Sequence, residues 1–241
     1  MLDEAEISRD TLLCGRVKLL QPRTGYRSSL DPVLLAGFSV PPFGHFLDIG
    51  CASGALSFLL LARDEAASGV GVEIQPRLAE LAEQGRVDNG FGSRLAIVTG
   101  DVRRRGLVED HAFDRVATNP PFRALGTGNL PPLSEMALAH HEVTLTLAEW
   151  LDVAVRALRP GGRLATIFPF ARWDELRAGI ETRGFFAGRS RLVVSREGGA
   201  PGRILVEAWQ GSGETRTEPP LIVHDSGGYT AEVRRMLGEK V

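Results

Sequence analysis

The chain has 241 residues, 43% of them hydrophobic and 24% charged, which is ample for a packed core and leaves no room for whole-chain disorder. Its formal net charge is −2, so it cannot hold a nucleic acid by bulk positive charge, and any such contact must come from a local patch. Two distant cysteines, Cys14 and Cys51, do not form a disulfide framework, no metal-ligand spacing is present, no apolar run approaches the ~20 residues of a membrane span, and the first residues are acidic, unlike a secretory leader; the expected compartment is the cytoplasm.

Residues 1–42 show weak periodicity: a turn-rich stretch from Gln21 to Arg27, then an apolar run from Val33 to Phe38 that Ser29 or Asp31 can cap with Pro32 in the first helical turn. From there short apolar strands alternate with helical patterns. Strands are expected over Phe46–Ile49, Val70–Ile74, Leu95–Thr99, Phe113–Thr118 and Leu164–Phe168, and helices over Ala55–Ala62, Pro76–Val87, Thr144–Leu158 and Trp173–Thr182. Residues 123–143 read mostly as a long loop. Phe185–Val194 and Ile204–Trp209 follow one another without a helix and form a hairpin. The tail 211–241 reads as a polar linker followed by a short helix within Tyr229–Leu237. This order predicts an α/β doubly wound, mostly parallel seven-stranded sheet with an antiparallel hairpin at one edge. The chain divides into an N-terminal segment, 1–42, packing on the site, a main domain, 43–210, and a C-terminal tail, 211–241.

The chemistry sits at strand ends. Leu47-Asp48-Ile49-Gly50-Cys51-Ala52-Ser53-Gly54 joins the first strand of the alternating series to its helix; glycines there allow a sharp turn and close approach of a ligand to free helix N–H groups. The spacing is not the dinucleotide pattern G-x-G-x-x-G. It resembles motif I of class I S-adenosylmethionine (SAM)-dependent methyltransferases, with Ala52 in place of the middle glycine. Glu73, at the end of the next strand, stands where such folds place an acid on ribose hydroxyls, with Ile74 after it for one adenine face. The resemblance further implies that Asp101 accepts from the adenine amino group and that the Val102 N–H meets a ring nitrogen; Asp101 can equally be the N-cap of a following helix.

Asn119-Pro120-Pro121-Phe122 directly follows the strand Phe113–Thr118 and resembles motif IV of amino-methyltransferases, (N/D/S)-P-P-(Y/F/W). An exocyclic amine is a poor nucleophile because its lone pair is delocalised into the ring. The Asn119 side-chain carbonyl and the Pro120 backbone carbonyl can accept from its NH2 group, two prolines fix the turn, and Phe122 can stack on a flat acceptor. Catalysis is then positioning and directed polarity. The alternative for these residues is a rigid loop with a core phenylalanine.

The stretch Gln21-Pro22-Arg23-Thr24-Gly25-Tyr26-Arg27-Ser28-Ser29-Leu30-Asp31-Pro32-Val33-Leu34-Leu35-Ala36, the turn Arg159-Pro160-Gly161-Gly162, the region Gly198–Gly202 and the tail Gly227–Val233 extend the similarity over nearly the whole chain. Together they resemble the bacterial tRNA1(Val) adenine N6-methyltransferases. That resemblance implies SAM as cofactor, with Arg27 and Asp31 closing over its methionine end, and a tRNA adenine N6 as acceptor. Two departures, Ala52 and Phe122 where many members carry tyrosine, keep ribosomal RNA guanine N2 or adenine N6 and a protein glutamine N5 as alternatives, beside a SAM-binding module without catalysis. An intact Asn119-Pro120-Pro121 argues against that module, and the short stretch before motif I argues against the glutamine enzymes. All but two of the 28 basic residues are arginine; Arg103-Arg104-Arg105 and the group Arg189, Arg191, Arg196 and Arg203 are candidate phosphate contacts.

Overall fold

A computed structural model describes residues 4–120 and 145–241. The expected alternation produces a sheet that, among the described residues, has nine strands rather than seven. The chain begins with a separate antiparallel hairpin, β1 (Ile7–Leu12) and β2 (Val17–Pro22), then α1 (Asp31–Phe38), β3 (His45–Ile49), α2 (Ala55–Arg63), β4 (Ser68–Glu73), α3 (Pro76–Asp88), β5 (Leu95–Thr99) and β6 (Phe113–Thr118). It continues through α4 (Leu147–Ala157), β7 (Leu158–Pro169), α5 (Trp173–Glu181), β8 (Phe185–Arg196), β9 (Pro201–Gln210), β10 (Arg216–Asp225), β11 (Gly228–Tyr229) and α6 (Ala231–Met236). The sheet order is β11-β10-β8-β9-β7-β6-β3-β4-β5. Strands β4, β5 and β6 join β3 in parallel register, as does β7 beside β6, whereas β9 runs antiparallel to both β7 and β8.

The chain winds outward from β3 in one direction through β4 and β5, then returns to the other side of β3 with β6. That reversal creates a crevice at the carboxyl ends of β3 and β6, the usual ligand position in an open α/β sheet. Alternation along the strands fills two layers: Phe46, Ala117, Ala165 and Ile167 face a core built with α1, α2 and α6, while Leu47, Ile49, Val116, Leu164 and Phe168 face one built with α4 and α5. Helix α2 is apolar around most of its circumference because Leu56, Phe58, Leu59, Leu60 and Leu61 are all buried.

Three differences from the sequence reading have physical causes. The β8–β9 hairpin is not at the edge, because the supposed linker supplies β10, parallel to β8, and β11 beyond it. Glu218-Pro219-Pro220 interrupts the strand pattern, and pairing with β8 shifts register between Glu218 and Leu221 at those prolines; such a break is tolerated near an edge. The weakly periodic N-terminus is the β1–β2 hairpin, whose Ile7 and Leu20 pack with Leu78 and Leu81 of α3. Helix α1 starts at Asp31 with Pro32 in its first turn, but its N-cap is Leu30 without a side-chain bond. Only α4 carries a full capping box among the described helices, Thr146 with Glu149. The expected loop over 123–143 lies outside the described residues.

A buried ion network ties the far half together. Arg115 of β6 pairs with Glu207 of β9 at 2.5 Å, with side-chain exposures of 3% and 1%. Glu207 also meets Arg189 of β8, which in turn meets Glu218 of β10, each at 3.3 Å. The Arg189 guanidinium lies over the Phe38 ring of α1.

Candidate active site

The crevice is built from four strand ends. After β3 the chain turns at Gly50 (φ +72°) and Ala52 (φ +48°) before α2 begins behind Gly54 (φ +91°). The Gly50 and Cys51 N–H groups both donate to the Val72 carbonyl of β4, at 2.9 and 3.0 Å. A side chain at Gly50 would meet nothing within 4 Å, so the space above the turn is open, whereas one at Gly54 would strike the Phe58 ring. Ala52 holds the left-handed conformation that glycine adopts without strain, which explains why a glycine is the usual residue there.

Each acid of the site already has protein partners. Asp48 is buried and accepts from the Ser57 N–H (3.1 Å) and the Ser57 hydroxyl (2.7 Å), both on the same oxygen. It therefore braces the first turn of α2. Burial pushes its carboxyl up to about 7, the Ser57 bonds oppose this, and the Glu73 charge adds to it. Glu73, also buried, accepts from the Ala52 N–H (Oε2, 2.9 Å) and the Gln75 N–H (Oε1, 2.8 Å). Burial raises its pKa against the pull of those backbone donors. Each Glu73 oxygen keeps acceptor capacity after one such bond. Ile74 is exposed just beyond it. Asp101 after β5 is bound by Arg103, and Val102 is buried beneath it. No helix follows Asp101; it closes a turn by accepting from the Arg103 N–H at 3.0 Å.

Asn119 after β6 is different. Its Oδ1 is buried and has no hydrogen-bond partner among the described residues. The Thr118 hydroxyl donates to the Ile49 carbonyl at 2.9 Å, clamping the ends of β6 and β3 together directly below it. Pro120 is buried beside it. Phe122 lies outside the described residues.

One pocket brings together Asp48, Gly50, Ala52 and Asn119 with Tyr26, Ser28 and Leu56. Tyr26 packs against Ala52 and the Ile7–Leu20–Leu78–Leu81 cluster, and burial beside Glu73, Asp31 and Asp48 raises its pKa. Tyr26 and Ser28 carry no role of their own in the sequence; their place in the stretch 21–36 that bears the family resemblance is the available signal. Two expected residues adjoin the pocket in sequence without lining it. Arg27 is held by the N-terminal hairpin, through Ser8 Oγ (2.6 Å), the Pro22 carbonyl (2.9 Å) and Asp10 (2.8 Å). Asp31 pairs with Arg203 of β9 at 3.3 Å.

Most of the arginines singled out for phosphate have internal partners. Arg103 meets Asp101 and Glu149, Arg105 meets Asp110, Arg189 belongs to the buried network, Arg191 makes two bonds to Glu232, and Arg196 donates to the Asp225 carbonyl. These contacts depend on cross-strand and loop geometry that a run of arginines does not disclose.

The strand order, with its reversal beside β3 and the antiparallel β9, defines a class I methyltransferase fold. A protein from Agrobacterium tumefaciens described as a predicted O-methyltransferase has a crystal structure that matches it with a TM-score of 0.68 and 26% identity, over 86% of this chain and 94% of that one. The profile of the family described as methyltransferase small domain matches residues 30–170. The tRNA1(Val) (adenine(37)-N6)-methyltransferase of Porphyromonas gingivalis is 31% identical over 228 residues, covering 89% of this chain and 88% of the relative. The enzyme of the same description from Aliivibrio salmonicida is 26% identical, with 86% of each chain covered. The chain belongs to the methyltransferase small domain family, and within it to the family of these tRNA1(Val) adenine N6-methyltransferases. It is a SAM-dependent N-methyltransferase.

Proposed function

We propose that the protein methylates the N6 amino group of an adenine in a tRNA, using the 48–54 turn, Glu73 and Asp101 to hold SAM and Asn119 to hold the acceptor. The observation that carries this reading is the buried, unpartnered Asn119 Oδ1 at the fold's switch point. A buried acceptor without a donor is costly, and an exocyclic amine supplies the missing donor. The residues at these strand ends fit SAM: open space over Gly50, and beside the pocket a buried carboxylate at Glu73 with acceptor capacity left. When bound, SAM supplies a methyl group on a positively charged sulfur, the electrophile an amine requires.

The chain's residues act on the amine and the cradle. Asn119 Oδ1 and the Pro120 carbonyl accept from the two amino hydrogens, draw the nitrogen toward a pyramidal geometry and aim its lone pair along the transfer line. With the methyl group of bound SAM transferred to it, the nitrogen would carry a positive charge that Asn119 Oδ1 and the Pro120 carbonyl stabilise until one proton leaves to solvent. Asp48 serves at one remove: through Ser57 it fixes α2 and the turn above it. Phe122 is assigned the stacking surface for the flipped base.

The test is methyl transfer from SAM to unmodified tRNA, followed by digestion and mass spectrometry of the nucleosides. N6-methyladenosine is expected. N2-methylguanosine, or transfer only to a protein glutamine, would overturn the acceptor and leave the cofactor site standing.

A further inference from the structure

Arg103 is exposed, but its charge already has partners within the protein. Its guanidinium lies between two carboxylates from different parts of the fold. Toward the loop after β5, Nε bonds both Asp101 oxygens (2.9 and 3.0 Å) and Nη2 bonds Oδ2 (2.7 Å), while its own backbone N–H reaches Oδ1 (3.0 Å). Toward α4, Nη1 bonds Glu149 Oε1 at 2.9 Å. Glu149 is immobilised in turn, because its other oxygen accepts from the Thr146 N–H (2.8 Å) and hydroxyl (2.9 Å) in the α4 capping box.

The same loop is fastened to α4 further along. Arg156 pairs with Asp110 at 3.0 Å, and the His111 and Ala112 N–H groups donate to the Arg156 and Ala157 carbonyls. The stretch after β5 is thus a shelf pinned along one helix, and Arg103 is the pin at the end that carries Asp101. A planar guanidinium fork fixes a carboxylate in orientation as well as position, which a point charge does not. Arg103 reaches both oxygens, the single Nε–H being shared between Oδ1 and Oδ2, so each oxygen is held by two contacts and the fork sets the direction in which the carboxylate faces. The clamp also holds the Asp101 carboxyl below the usual range, keeping it an acceptor only.

We propose that Arg103 is a positioning residue for cofactor specificity: by clamping Asp101 to the α4 capping box through Glu149, it presents one carboxylate oxygen to the 6-amino group of the cofactor's adenine. This rests on the reading of Asp101 as the acceptor for that group, and it sets Arg103 apart from the phosphate contacts first suggested by the Arg103-Arg104-Arg105 run.

Calorimetry with S-adenosylhomocysteine and with its analogue bearing hydrogen in place of the 6-amino group tests it. The wild type is expected to prefer the amino form by roughly 10- to 100-fold. Asp101→Ala should abolish the preference. Arg103→Gln should reduce it by about 5-fold or more, Arg103→Lys should restore part of it, and Glu149→Gln should fall between the wild type and Arg103→Gln, all with unchanged unfolding cooperativity. If Asp101→Ala keeps the preference, the reading of Asp101 is wrong and the proposal falls with it. If Asp101→Ala loses the preference but Arg103→Gln retains it, or weakens both ligands equally, Arg103 only supports the loop and the proposal is overturned.

Discussion

The two halves of the sheet treat polar groups in opposite ways. In the far half, Arg115, Glu207, Arg189 and Glu218 link β6, β9, β8 and β10 by pairing in a chain of opposite charges, and Arg191 joins Glu232 across to α6. Charge in that half is balanced internally, although the Arg115 and Arg189 Nε atoms have no hydrogen-bond partner among the described residues. In the near half, Asp48 and Glu73 use nearby backbone and side-chain donors and leave capacity over, Asp101 is held by Arg103, and Asn119 has an oxygen with no partner among the described residues. The contrast teaches where to look for chemistry: charged residues that complete one another build the fold, and the polar group left incomplete at the strand reversal marks the acceptor.

If that division is right, damage to the far half should reach stability and leave the chemistry of the remaining folded protein alone. Arg115→Met removes one of the two cations on buried Glu207 and leaves Arg189 at 3.3 Å, and losing such a charged hydrogen bond costs roughly 1.5–3 kcal/mol. Denaturant unfolding should show that loss, while the turnover per folded molecule, at a temperature where the variant is native, stays near the wild-type value. A parallel loss of turnover would join the two halves and break the comparison.

Damage to the near half should invert the pattern. Glu73→Ala, with folding checked, is expected to weaken S-adenosylhomocysteine by about 1–3 kcal/mol, roughly 5- to 150-fold, in calorimetry. Unchanged affinity would remove Glu73 from the cofactor site.

Asp48 sharpens the comparison through pH. Its carboxyl is raised in the fold from 3.8 to about 7 by burial. A raised acid binds its proton more tightly when folded, so its contribution is fully present below the unfolded value near 4 and is lost as pH rises through 7. Denaturation of the wild type and Asp48→Asn between pH 5 and 8 should show the variant gaining on the wild type as pH rises. A constant difference would place the charge of Asp48 outside the stability balance. The smallest effect concerns Ala52, whose φ of +48° is strained for a residue with a Cβ. Ala52→Gly should raise stability by up to about 1 kcal/mol, because relief of strain outweighs the added freedom of the unfolded chain, and a lower melting temperature would count against that strain.

Much of this was legible because the informative residues sit at strand ends, where glycine, acid and proline have few other uses. The spans Leu95–Thr99 and Phe113–Thr118 coincide with β5 and β6, and the turn between Asp48 and Gly54 lies where its glycines placed it. The β1–β2 hairpin was hidden because its first strand reads Ile-Ser-Arg-Asp-Thr-Leu, with one buried side chain in six. Strand β10 was hidden by Pro219 and Pro220, which an edge position with a register shift accommodates. The arginines were illegible for a different reason: whether Arg103 meets a phosphate or Asp101 depends on a carboxylate 46 residues away in α4, and no local pattern carries that information.

The central claim, that Asn119 acts on the acceptor while the acids hold the cradle, is tested most directly by one paired measurement. Single-turnover methyl transfer to unmodified tRNA is followed for the wild type and Asn119→Ala, with S-adenosylhomocysteine affinity determined on the same preparations. The account predicts a rate loss on the order of 10²–10³, the cost of removing one oriented polar group that works mainly in the transition state, with cofactor affinity nearly unchanged. Transfer by Asn119→Ala at the wild-type rate would contradict it.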